Sequence, residues 1–475
     1  MTECNPEQLE FLGLGKRAVV GAFDGGLISS DGGGLLLREV AERTGLIDRL
    51  AEQFVDYRDP DAIEHGVRDL VAQRVFALAL GYEDLNDHDR LRLDPLLALL
   101  VGKEDPSGED RRLERDRGKA LASSSTLNRL ELTPWDADAE SRYKKIVAKP
   151  AGMDRLLVER FLDAHDIAPK EIWIDLDATD DPLHGQQEGR FFHGYYGHYC
   201  YLPLYIFCGE HLLCAQLREA DCDAASGSVE AVARIVSQIR ARWPAVRIVL
   251  RGDSGFCRED LMAWCESGGV DFLFGLAKNQ RLIKRIGDAM LEADHRYRQS
   301  GKASRVFEDF DYRTRKSWSC SRRVVAKAEH LAKGANPRFV VTTLSAAYAD
   351  PRTLYEEFYC ARGDMENRIK EQQLDLFADR TSSHTLRANQ IRLYFSSFAY
   401  VLLCDLRRLG LQGSELARAQ CGTIRLKLLK IGAQVRVSVR RVRIAFCEGF
   451  PGIELFRQVL RKLREGPPLA ASGAS

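Results

Sequence analysis

Between Leu36 and about His165, apolar residues recur three and four positions apart, as in LVAQRVFALAL and LLVERFLDAH. That spacing lays an apolar stripe along a helix. The stretch SSDGGGLLLREVAERTG offers Ser and Asp as cap candidates, is punctuated by glycine and passes into an amphipathic helix. Its glycines lack the following Lys-Ser or Lys-Thr of a phosphate loop, so they read as a turn. GKEDPSGEDRRLERDRGKALASSSTLNRLE reads as a charged surface loop running into a Ser/Thr-capped helix. The pattern predicts a helical N-terminal domain over residues 1–165.

From Glu171 the period changes to two. Strand-like runs cover residues 172–177, 201–208 and 212–217, the last two separated only by GEH. SGSVEAVARIVSQIRARW then reads as a helix, VRIVLRGD as a buried strand, REDLMAWCESGG as a helix closed by glycine, and DFLFGLA as a further strand. The order β-β-β-α-β-α-β is that of a ribonuclease H-like α/β fold, a mixed sheet with acidic residues on its first and fourth strands and on a later helix. The first part of this catalytic domain spans 166–280 and its second part 338–400. Between them, residues 281–337 predict a β-rich insertion with basic and aromatic character, including YRTRKSWSCSRRVVAK. The region 401–475 is rich in arginine and lysine.

Composition changes this picture little. The chain has 475 residues, 45% apolar and 29% charged, enough for a large core and two to four domains. Lys plus Arg and Asp plus Glu are both 69. Overall charge therefore argues against a nucleic-acid partner, unless local basic patches hold it while acidic residues occupy another face. No apolar run approaches the roughly 18 residues of a membrane helix, and MTECNPEQLEF has no basic-then-apolar leader, so a cytoplasmic location is expected. The twelve cysteines, Cys4 and Cys200 among them, form no C-x-x-C pair and suit reduced thiols. His193, His198 and Cys200 in HGYYGHYC suggest a metal, but no fourth ligand is evident.

The candidate chemistry begins in IWIDLDATDD, which places four aspartates within seven positions. On a strand, Asp175 and Asp177 share one face and Ile172, Ile174 and Leu176 the other. Such crowding requires neutralising positive charge, which divalent cations supply in two-metal phosphodiester transfer. Asp177 near the end of the first strand, Asp253 in VLRGDSGF and Glu366 in a later helix are three carboxylates from separate elements. Glu366 shares a helical face with Arg362 and Lys370 through spacings of four. DLDAT also fits the D-x-D-x-T strand motif of haloacid dehalogenase-like phosphatases, in which Asp175 would be the nucleophile. That fold needs strictly alternating strands and helices, whereas three strands here precede the first long helix.

Taken together, FDGGLISSDGGGLLLRE, GYEDLNDHDRLRLDP, DLDATDDPLHGQQEG, GHYCYLPLYIF, LRGDSGF and YCARGDMENRIKE resemble the DDE transposases of bacterial insertion sequences, most closely the insertion sequence 1380 family. The resemblance implies that Asp177, Asp253 and Glu366 form the catalytic, metal-binding triad, with Mg²⁺ as cofactor and Mn²⁺ able to substitute. Tyr359, Arg362 and Glu366 match the intervals of the signature Y-x2-R-x3-E-x6-K, but Gln373 stands at the lysine position, leaving Lys370 as its replacement. The implied activity is cleavage at terminal inverted repeats and joining of the 3′ ends to target DNA, by a homodimer associated with the nucleoid when bound to DNA. Tyr359, Arg362 and Lys370 would position phosphate. In the insertion, Trp318 or Tyr312, flanked by Arg313, Arg315 and Lys316, could stack on an unpaired base, although a core or sheet-surface aromatic is the commoner role. A DNA-binding protein derived from a transposase but without activity is the other alternative.

Overall fold

The computed structural model describes residues 8–465. Cys4, most of the stretch examined for a leader, and residues 466–475 of the basic C-terminal region lie outside them. A nine-stranded mixed sheet organises the chain. Its main strands are β1 (Glu171–Ala178), β2 (Leu204–Cys208), β3 (His211–Gln216), β4 (Arg247–Gly252), β5 (Asp271–Leu276), β6 (Ser304–Tyr312), β7 (Arg322–Leu331) and β8 (Arg338–Thr342). They lie in the order β3-β2-β1-β4-β5-β8-β7-β6, with the short strand Gly334–Ala335 pairing with β7. β4 runs parallel to β1 and β5 parallel to β4, while β2, β3 and the added strands are antiparallel to their neighbours. The turn from β2 to β3 is tight because Gly209 takes the left-handed conformation, with φ of 60°.

The helices that frame the sheet are α1 (Val67–Leu80), α2 (Pro150–Asp163), α3 (Ser228–Arg242), α4 (Glu259–Ser267), α5 (Gln280–Arg285), α6 (Gly287–Ser300), α7 (Gly363–Leu376) and α8 (Leu386–Leu406). Helix Gly34–Thr44 precedes them, Ile453–Glu465 follows, and further short helices lie between. On one face of the sheet, Ile172, Ile174 and Leu176 of β1 pack with Val232 and Ile235 of α3, Leu261 of α4 and Phe161 of α2. On the other, Tyr205 and Phe207 of β2 join α8 and the N-terminal helices in a second core. In α8, 17 of 21 residues are buried, so it is a central helix wrapped on all sides. The N-terminal helices thus share one core with α8, and the boundaries drawn at 165 and 400 separate no cores.

Three local expectations change. The chain opens with an exposed hairpin, Leu9–Leu14 and Arg17–Gly21, ahead of the helices. Asp31 does not cap the following helix. Its carboxylate accepts hydrogen bonds from Lys430 Nζ and the Tyr82 hydroxyl, both at 2.6 Å, and Gly33 occupies the cap position. Only glycine fits there, since a Cβ would stand 2.1 Å from the Leu428 carbonyl oxygen. The segment 281–337, expected as a β-rich insertion, carries the strands β6 and β7 but also most of α5 and all of α6, and its strands continue the main sheet beyond β5 through β8.

The basic C-terminal region is likewise built into the body. Arg407 is 1% exposed and pairs with Glu371 at 2.8 Å. The strand Ala433–Ser438 pairs with Ile28–Ser29 near the other end of the chain.

Candidate active site

Apolar runs carry two carboxylates to one edge of the sheet. In the parallel register of β1 and β4, Gly252 lies opposite Leu176, so Asp253 emerges beside Asp177. Glu366 arrives from a different direction, in the first turn of α7. A π-helical turn, Leu354–Tyr359, and a 3₁₀ turn, Cys360–Arg362, lead into that helix. Asp177, Asp253, Arg362, Glu366, Lys370 and Gln373 line one cleft of about 530 Å³. Lys370 is exposed at its rim.

Arg362 links the carboxylates. Its guanidinium donates to Glu366 Oε1 at 3.0 Å and stands 3.7 Å from Asp177 Oδ2. Burial drives the Asp177 carboxyl up to about 7. Arg362 opposes that shift, while the charges of Asp253 and Glu366 add to it. Burial alone would lower Arg362, but Asp177 and its other anionic neighbours hold it above its usual value.

The donor set is suited to a divalent cation. Three carboxylates supply only oxygen, the preference of Mg²⁺, and the raised Asp177 marks a site short of positive charge. Among the described residues, no three His, Cys, Asp or Glu side chains are gathered closely enough to hold one ion. Arg362 lies against both Asp177 and Glu366, so the fit rests on donor chemistry.

The four crowded aspartates have separate partners. Asp175 is clamped by Arg251, whose Nε and Nη2 reach its two oxygens at 2.5 and 2.8 Å. Its neutralising charge is therefore a guanidinium, correcting the expectation that divalent cations relieve the whole cluster. Burial raises the Asp175 carboxyl even so. Asp180 accepts from His198 Nε2 at 2.7 Å. Asp181 is fully buried and accepts from Gln373 Nε2 at 2.9 Å. Gln373, at the signature lysine position, is thus engaged with the turn after β1.

Several contributors escaped sequence reasoning. Arg251 also donates to the Phe358 carbonyl, and Trp173 stacks on Phe358 with ring centroids 5.2 Å apart, so β1 and β4 together hold the turn preceding Arg362. A Cβ at Gly275 of β5 would lie 2.6 Å from the Tyr359 hydroxyl and 2.9 Å from the Ser254 nitrogen. Glycine there lets Tyr359 approach the backbone beside Asp253. His193, Tyr195 and Tyr196, on a hairpin after β1, line the cleft wall. Their aromatic density in HGYYGHYC was the available signal, read there as a possible metal motif.

The residues proposed for DNA contact in the insertion divide into buried aromatics and exposed cations. Trp318 is 6% exposed and packs edge-on against Tyr312 at 5.8 Å beneath Arg322. It belongs to the core on the α3 and α4 face and offers no surface to a base. Arg315 and Lys316 are exposed.

With this geometry in view, comparison with known proteins is decisive. Residues 12–468 match the family described as Transposase DDE domain group 1. The chain belongs to that family. No curated protein matches it. Membership supports a transposase function and hence DNA cleavage and joining, chemistry for which DDE transposases use divalent metal ions. No helix among the described residues is long and apolar enough to cross a membrane.

Proposed function

We propose that this DDE transposase binds the terminal inverted repeats of an insertion sequence of the 1380 family, cleaves the DNA at its ends by hydrolysis and joins the 3′ ends to target DNA. The observation that carries the reading is the convergence of Asp177, Asp253 and Glu366, from two strands and a helix, on one cleft with Arg362. The strand order β3-β2-β1-β4-β5, with β4 and β5 parallel to β1, supports a ribonuclease H-like catalytic domain.

Asp177, Asp253 and Glu366 would hold Mg²⁺, with Mn²⁺ as a substitute. When bound, the metal supplies activation of the attacking oxygen and stabilisation of the leaving oxygen. The protein's own groups orient the substrate. Arg362 is placed to exchange its Glu366 contact for a phosphate oxygen, and Lys370 to meet phosphate at the rim. Tyr359, wedged over Gly275, keeps the Arg362 turn against the end of β4. Two DNA ends and one set of carboxylates per chain favour a homodimer on DNA, nucleoid-associated when bound.

The test measures nicking of a duplex carrying the inverted repeat that flanks the reading frame, with and without Mg²⁺. Mg²⁺-dependent nicking lost in Glu366→Gln is expected, with end binding retained. Binding without nicking by the unaltered protein would favour a DNA-binding descendant of a transposase. In the phosphatase reading Asp175 must attack phosphate. Burial and the two-pronged Arg251 contact oppose that role, and turnover of a small phosphate ester abolished by Asp175→Asn would reinstate it.

A further inference from the structure

The chain is neutral overall, yet one surface beside the cleft concentrates cations without acidic partners. β5 is hydrogen-bonded to β4, whose end carries Asp253. Two residues beyond Leu276 of β5 stands Lys278, followed on α5 by Arg281, Lys284 and Arg285, all exposed. A second segment joins them. Asn279 Nδ2 donates to the Tyr312 hydroxyl at 3.2 Å, and Arg281 Nη1 to the Arg313 carbonyl at 3.3 Å. These bonds hold the loop bearing Arg313, Arg315 and Lys316 against α5, and that loop's cations are also exposed.

Neighbouring arginines are spent on carboxylates: Arg258 on Asp223, Arg322 on Glu259 and Arg323 on Asp309. None of the cations on α5 or its loop has a carboxylate oxygen within 4.0 Å among the described residues. Two of their guanidinium groups lie over buried rings instead. The Arg281 guanidinium lies over Tyr312 at 5.1 Å and that of Arg285 over Phe310 at 5.0 Å. This arrangement fixes the direction of the charges, and beyond single bonds from Arg281 Nη1 and Arg313 Nε to backbone carbonyls it leaves their donors free of carboxylates. Leu282 and Ile286 anchor the segment in the core, so the cations ride on a rigid support.

We propose that α5 and the 313–316 loop form a phosphate-binding platform that grips the backbone of the DNA duplex entering the cleft, on the Asp253 side of the carboxylates. The inference rests on the transposase reading and assigns DNA contacts that the catalytic residues do not make. Unpaired, pre-oriented cations suit a polyanion because each phosphate neutralised releases condensed counterions, without first breaking an internal ion pair. Contact through backbone charge alone carries no sequence preference.

The experiment compares the full chain with the variant Lys278→Gln, Arg281→Gln, Lys284→Gln, Arg285→Gln. These positions are exposed and carry no ion pair, so folding should persist; circular dichroism checks it. Affinity is measured across a salt series, in Ca²⁺ to prevent cleavage, for a fluorescent duplex of about 30 base pairs bearing the flanking inverted repeat and for one of arbitrary sequence. The logarithmic salt slope should become shallower by up to about 3.6, near 0.9 for each of four lost phosphate contacts, and equally on both duplexes. Nicking at saturating DNA should persist. An unchanged slope in the folded variant overturns the platform, as does a loss confined to the inverted-repeat duplex. If the variant flattens the slope on both duplexes but the unaltered protein never nicks, the platform stands and the catalytic reading falls.

Discussion

Two aspartate–arginine pairs sit two residues apart on β1 and behave differently. Asp175 and Arg251 meet in a closed, two-pronged contact with almost no solvent access. Asp177 and Arg362 stand 3.7 Å apart in an open cleft, and Arg362 divides its charge with Glu366. The closed pair has used its hydrogen-bonding capacity on itself and on the Phe358 carbonyl, so its output is position. The open pair leaves carboxylate oxygens and guanidinium protons unspent, which is what metal and phosphate chemistry need. Identical residue types thus serve as scaffold or as site according to how completely each satisfies the other.

The largest expected effect breaks the open side. Asp177→Asn or Glu366→Gln should lower Mg²⁺-dependent nicking by roughly 10³-fold or more, because each removes a charged oxygen ligand from transition-state stabilisation. Chemical denaturation should show both variants folded. Normal nicking by either would remove that residue from the site. Next, Arg362→Ala should reduce nicking by about 10²-fold, the scale of losing one charge-stabilising donor, while metal affinity measured by calorimetry changes little. A wild-type rate would make Arg362 a surface ion-pair partner.

Breaking the closed pair should read out in stability. Asp175→Asn leaves Arg251 buried without its counter-charge, a loss of about 3 to 5 kcal/mol in urea unfolding, with measurable nicking by the folded fraction. Complete loss of nicking at full stability would instead give Asp175 a direct chemical role. A pH series sharpens the contrast. The folded Asp177 carboxyl is raised to about 7, above its unfolded value near 4, so it holds a proton in the native state that the unfolded chain has released. Its contribution to stability therefore falls as pH rises from about 4 to about 7 in EDTA. Asp177→Asn should gain stability relative to the unaltered chain across that window, and saturating Mg²⁺ should shrink the gain. A flat difference would contradict the raised carboxyl.

The smallest effect concerns the exposed hairpin of the basic C-terminal region, not the region as a whole. Deleting everything from Leu406 onward should unfold the chain, since Arg407, Ile424 and Leu428 lie in the core. A milder change, Arg436→Gln with Arg443→Gln on the exposed hairpin, should flatten the salt slope of DNA binding by at most about 2, less than the α5 variant does. A larger change would move the main DNA surface to that hairpin.

Legibility followed distance along the chain. Periods of 3.6 and 2 report how residues a few positions apart share a face, so the main-sheet strands and helices from 171 to 276 could be read directly, as could the delivery of Asp177 and Asp253 to strand ends. The small sheet of Asp181–Pro182, Phe191–His193 and His198–Tyr201 was missed, and the run 201–208 breaks between it and the main sheet. The intervals among Tyr359, Arg362 and Glu366 were local as well. Partners brought together from afar were not readable. Arg251 reaches Asp175 across 76 residues because the β1–β4 register places them opposite each other, and no local pattern encodes that register. Trp318 beside a run of cations could be read as a base-stacking residue or a core aromatic, and packing against Tyr312 and Arg322 decided for the core. Charge counts carried the same ambiguity, since Arg407 and Arg281 look alike in sequence yet one is spent on Glu371 and the other faces solvent. The sequence by itself determined which residue types arrive at strand ends and helix faces, because backbone geometry repeats over a few residues. Only the tertiary structure decided which charges are neutralised internally and which remain available, because desolvation and pairing depend on neighbours far away in the chain.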